Sequence, residues 1–165
     1  MPRSGVSAER VNYGPQLIPR LQTVQVILPE AQYDLNKEWD GANSRFIAKE
    51  SGYYQVMAQV KWRDFHAASP FELVVNKNDG GQFLESLQVS PSPSIYPTFE
   101  MSAQNIVHLD KGDYVKMLVQ SYDSGSVSIS HGLAETYLTI WRVDEAGFPW
   151  GLAALVLVGA YVLTR

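Results

Sequence analysis

The chain reads as an all-β protein, an antiparallel sandwich or barrel, on three observations. Apolar and polar residues alternate through several short runs, most clearly in Tyr53 to Trp62, Phe83 to Val89 and Tyr114 to Ser121. The runs recur at roughly ten-residue intervals with turn-forming residues between them, the spacing of sandwiches and barrels. Residues 1–145 carry no helical heptads, long repeats or dinucleotide-type glycine motif.

Size and composition bound the function. A chain of 165 residues suggests one domain with a small appendage, and 45% hydrophobic residues supply a real core. The net charge of −4, with no basic run, predicts no nucleic-acid partner. There are no cysteines, which excludes disulfides and thiolate metal sites. The first fourteen residues contain no apolar core and predict no cleavable signal peptide.

Three segments follow: an irregular N-terminal arm over 1–22, a β domain over 23–145 and a C-terminal membrane helix over 146–165. Gly5, Gly14, Pro15 and Pro19 punctuate the arm. Thr23 to Leu28 is the first predicted strand, stopped by Pro29, and Tyr33-Asp34-Leu35 is a short second one. Asn36 to Ser44, with Gly41 and several charges, reads as a loop. Phe46 to Ala48 is a short strand before the polar turn Lys49-Glu50-Ser51-Gly52.

The spine of the domain is Tyr53 to Trp62, where Tyr54, Val56, Ala58, Val60 and Trp62 share one face. Phe71 to Asn76 and Phe83 to Val89 are strands joined by the Asn-Lys-Asn-Asp-Gly-Gly turn. Ser90 to Pro97 carries three prolines and predicts an exposed loop. Ser102 to Leu109, Tyr114 to Ser121, Ser126 to Ser130 and Glu135 to Val143 complete a set of about ten strands.

After Asp144-Glu145 the composition changes abruptly. Gly147 to Leu163 is uncharged and apolar on all sides, and its seventeen residues at helical rise span about 25 Å, close to the hydrocarbon core of a bilayer. Pro149 suits a first helical turn, and Trp150 and Tyr161 sit where interfacial rings are favoured. The lipid-facing residues expected here are Phe148, Trp150, Leu152, Leu155, Val156, Leu157, Val158, Tyr161, Val162 and Leu163. Arg165 beyond the segment, with Asp144-Glu145 before it, predicts a single pass with the β domain outside the cytoplasm or on a virion membrane.

Particular residues then match a family. Tyr33-Asp34, Phe46, Gly52-Tyr53-Tyr54, the run Leu109-x-x-Gly112-Asp113-x-Val115 and the aromatic strand Tyr137 to Trp141 occur in this order. From Thr23 to Val143 the chain resembles the globular head of the complement q-subcomponent, within the tumour necrosis factor jelly-roll superfamily. Two features depart from the pattern: the segment between Tyr33 and Phe46 is long, and Leu138 stands where a glycine is usual. The resemblance implies a ten-stranded jelly roll that forms homotrimers. Tyr53, Tyr114, Tyr122 and Tyr137 exceed what a small core needs and are the candidate oligomer contacts. Gly52 and Gly112 would then serve backbone geometry at a strand entry and a turn, with Asp113 bonding nearby amides.

No catalytic constellation stands out. His66, His108 and His131 share no motif, Asp110 and Asp113 read as a self-stabilised turn rather than a calcium site, and no Gly-x-Ser-x-Gly elbow occurs. No enzyme, metal or cofactor is predicted. The loops Asp64 to Ser69 and Ser90 to Pro97 are the candidate partner contacts, with Phe65, His66, Ile95, Tyr96 and, before them, Trp39 as the residues expected to carry it. The function expected is anchoring and contact: a trimer joining other subunits of a membrane or viral assembly. The alternative is a ligand- or carbohydrate-binding receptor module with Trp39, Tyr96 and Phe99 as its aromatic platform.

Overall fold

The computed structural model describes residues 4–10, 13–92, 98–132 and 134–143. Among them thirteen strands follow in chain order: β1 (Gly5–Glu9), β2 (Gln16–Ile18), β3 (Val24–Gln25), β4 (Glu30–Asp34), β5 (Trp39–Asp40), β6 (Arg45–Ile47), β7 (Gly52–Arg63), β8 (Pro70–Lys77), β9 (Gly81–Val89), β10 (Thr98–Leu109), β11 (Tyr114–Ser121), β12 (Val127–Ile129) and β13 (Tyr137–Arg142). They form two sheets, and every strand pairing is antiparallel.

The first sheet runs β2-β12-β7-β13-β1-β4. β12 and β13 share one edge of β7, and β10 takes the whole length of the other. The second sheet runs β5-β6-β11-β8-β9, with β3 placed after β6 along the same edge of β11. The core lies between the sheets. Tyr54, Val56, Ala58, Val60 and Trp62 are all buried, as the alternation in β7 predicts, and Phe71, Leu73, Val75, Val115, Met117 and Val119 face them from the second sheet.

The N-terminal arm is the largest correction. Residues 5–9 are not irregular but form β1, inserted between β13 and β4. Val6 and Ala8 enter the core, while Gly5, Ser7 and Glu9 are covered from the other side. Four small residues and a glutamate give too little periodicity to read as a strand; the ladder to β13 makes them one. Residues 16–18 are also ordered, as β2 on β12.

Buried Arg10, at the end of β1, donates to the carbonyls of Tyr13, Gly14 and Ile27 and so ties these residues together. Conversely, the predicted strand over 23–28 pairs only at Val24–Gln25. The Ile27 and Leu28 amides turn to side-chain acceptors, Gln16 Oε1 and Ser44 Oγ, each at 2.9 Å. The segment read as a loop over 36–44 contains β5, held by the Asp34 carboxylate, which accepts from the Glu38 and Trp39 amides.

No helix among the described residues is long and apolar enough to cross a membrane. The predicted C-terminal helix and its lipid-facing residues lie outside the described residues.

Candidate functional site

One end of the sandwich carries the loop of residues 64–69. Phe65 in it does not face solvent: it is buried against Phe71 and Phe99, with Trp62 completing an aromatic cluster whose neighbouring rings are 4.7–6.4 Å apart. Phe65 therefore anchors the loop rather than contacting a partner, and Phe99, packed in the same cluster, is no exposed platform. His66 remains exposed. Its backbone amide and its Nδ1 both meet the Asp123 carboxylate, at 2.6 and 3.0 Å, and Gly125 lies close beneath its ring. Asp123 is fully buried and also accepts from the Ser124 amide. Burial pushes its carboxyl up, but the donors from His66 and Ser124 outweigh this and hold it below the ordinary carboxylate value. Ile95 and Tyr96 lie outside the described residues. Trp39 is half-buried and packs against the core with its indole N–H enclosed.

At the opposite end, Asp113 organises its own turn. Lys77 lies 2.6 Å from it, and it accepts from Asn78 Nδ2 and the Asp110 amide. The lysine contact, aided by these amide donors, lowers its carboxyl to about 2. Gly112 adopts φ 94°, the left-handed geometry that favours glycine. Gly52 is needed for a different reason: a Cβ there would fall 2.7 Å from Arg142 Nε, and its φ is not positive. Among the described residues no group of His, Cys, Asp or Glu side chains is placed to hold a metal ion.

The four tyrosines separate onto two surfaces. Tyr53 and Tyr137 alternate with buried Tyr54 and Leu138, so both lie on the outer face of the first sheet. Tyr114 and Tyr122 lie on the outer face of the second, where the Tyr114 phenol donates to Asp79 and Arg45 sits 4.8 Å above its ring.

Register shows what Tyr53 belongs to. One row crosses the first sheet from Leu35 past Gly5, Trp141 and Gln55 to Ile106; the next holds Tyr33, Ser7, Thr139, Met57 and Gln104. Tyr53 faces His108 beside them, with rings 5.2 Å apart. Tyr33, Leu35, Tyr53 and Ile106 are 44–59% exposed, and only a glycine separates Leu35 from Trp141. Sequence reading missed Tyr33, Leu35, Trp141 and Ile106 because they come together only through pairing across five strands. The lower part of the face is polar, with Lys61 Nζ 2.7 Å from Glu135.

The chain matches no known family profile and no curated protein in sequence. Solved structures do match. A tumour necrosis factor of S. frugiperda, Eiger, is 13% identical, with a TM-score of 0.67 over 90% of this chain and 98% of that one. Murine APRIL at pH 5.0 is 14% identical, with a TM-score of 0.66 over 86% of this chain and 99% of that one. The pH 8.5 structure of murine APRIL gives 12% and 0.64, over the same shares. A likeness at these identities is one of architecture, and it agrees with the resemblance carried by Gly52-Tyr53-Tyr54 and the Gly112-Asp113 turn: the chain has the tumour necrosis factor-like jelly-roll fold.

Proposed function

We propose that the protein is a non-enzymatic contact module that assembles as a homotrimer through the outer face of its first sheet and is held at a membrane by its C-terminal apolar segment. The observation that carries this reading is the exposed cluster of Tyr33, Leu35, Tyr53 and Ile106 around half-buried Trp141 and Met57. Contiguous apolar surface rich in aromatic rings is characteristic of interface cores. The cluster occupies the upper part of one sheet face, above the Lys61–Glu135 ion pair, so a copy seated on it buries apolar surface rather than charge.

The apolar stretch beginning at Gly147 supports the anchor. Three residues separate Val143 from it, which at full extension is at most about 14 Å of chain. Val143 donates to the Tyr53 carbonyl, so the end of the sandwich bearing Gly52 and the Gly112 turn would face the bilayer. The loops 64–69 and 122–125 would then point outward, toward other subunits of a membrane or viral assembly. Light scattering on the full chain in mild detergent tests the assembly: a protein mass three times that of the chain is expected, and a monomer would refute the trimer. Detergent phase separation tests the anchor separately, with recovery in the aqueous phase as the refuting result.

A further inference from the structure

The outer face of the second sheet presents a carboxylate in an apolar setting. Register places Tyr122, Pro70 and Val89 in one row, Gln120, Glu72 and Leu87 in the next, and Leu118, Val74 and Glu85 in the third. Glu72 is the centre of this grid. Leu87 and Val89 are 62% and 67% exposed on an edge strand, and Tyr122 and Pro70 are also open to solvent. Glu72 meets the Tyr122 phenol on one side and the Glu85 carboxyl on another.

Lys116, two rows along from Glu72, is engaged by Asp79. A shallow groove of about 280 Å³, lined in part by Thr23, Val74, Asn76 and Leu118, extends beside Glu72. Burial, reinforced by Glu85, pushes the Glu72 carboxyl above its ordinary value.

A charged group ringed by apolar contacts is the layout of an interface hot spot, in which the ring excludes water and strengthens one charge pair. We infer that this face docks a protein segment presenting an arginine between apolar side chains, with the guanidinium at Glu72 and Glu85 and the apolar neighbours on Leu87, Val89 and Tyr122. Arginine fits better than lysine, because its planar fork can serve two carboxylates and its stem covers apolar surface. The inference goes beyond the trimer reading and uses the opposite face of the sandwich.

The test uses the full chain in mild detergent and a fluorescent extended peptide with one arginine flanked by leucine and valine, beside the same peptide carrying citrulline, which keeps the shape and loses the charge. Binding of the arginine peptide about tenfold tighter than the citrulline peptide is expected. Glu72→Gln, which removes a strained charge without changing shape, should abolish that preference, and Leu87→Ser with Val89→Ser should weaken both peptides. Equal affinity for the two peptides, an unchanged preference in Glu72→Gln, or no binding would overturn the inference. Light scattering on the same samples reports the oligomer independently. A mass above threefold that falls on Glu72→Gln would mean that the face is occupied by another copy, which also overturns it.

Discussion

Arg142, on the last strand, lies across Gly52 at the entry of the central strand and ion-pairs with Glu50. The glycine of the Gly-Tyr-Tyr sequence is thus a steric requirement. A methyl group at residue 52 would stand 2.7 Å from Arg142 Nε and 3.3 Å from its Cζ. The obstructed group is the end of a flexible side chain, so the penalty should be moderate. Gly52→Ala is expected to cost about 1–2 kcal/mol, most of it through displacement of Arg142 from Glu50. In an Arg142→Ala background the same substitution should cost little. Urea denaturation of the four proteins of this cycle measures the coupling, and additive losses would show that Gly52 acts through something else.

Acid stability should follow two carboxylates. Asp113 is lowered to about 2 chiefly by Lys77, and Glu135 to about 2 by Lys61 and then the Ser130 hydroxyl. Both are depressed in the folded state, so their contribution is fully present well above the unfolded carboxylate values near 4. It is lost as pH falls from about 5 toward 2. With solvent screening discounted, each is worth roughly 1 kcal/mol. Denaturant midpoints of the wild type should fall over that window. Asp113→Asn and Glu135→Gln should lower the midpoint at pH 7 and converge with wild type near pH 2; parallel curves would contradict the assignment.

Much of this architecture is legible in the sequence, and the parts that are not share a cause. Alternation in β7 and β11 marks the buried faces because each strand supplies its own apolar series. Asp113 and Gly112 are legible because turn chemistry is local. β1 is not, because its five residues are defined by pairing with β13, 128 to 136 positions away in the chain. Phe65 reads as a loop aromatic for the same reason: the rings that bury it, Phe71 and Phe99, come from different strands. The apolar face around Tyr53 and the grid around Glu72 are products of register, which no single segment encodes.

The latch between the loops 64–69 and 122–125 should depend on the carboxylate far more than on the imidazole. Asp123 is wholly buried and receives amide protons from two residues, whereas the His66 side chain is 56% exposed. Asp123→Ala leaves those amides without an acceptor and is expected to cost about 2–3 kcal/mol. His66→Ala keeps its backbone donor to Asp123 and should cost less than about 1 kcal/mol. Thermal unfolding of the two variants gives the ranking, and a larger loss in His66→Ala would mean that the ring, not the amide, closes the latch.

The trimer proposal makes its sharpest demand at Ile106. This side chain is 53% exposed on β10, opposite Gln55, and contributes nothing to the buried core. A charge placed there should leave the isolated sandwich folded but cannot be buried against another copy without a cation to meet it. Ile106→Glu is therefore expected to give a monomer by light scattering with an unchanged far-ultraviolet circular dichroism spectrum, and Tyr53→Glu should do the same. Tyr114→Glu, on the opposite sheet, should leave the mass at threefold. If Tyr114→Glu dissociates the assembly and Ile106→Glu does not, the contact lies on the second sheet instead.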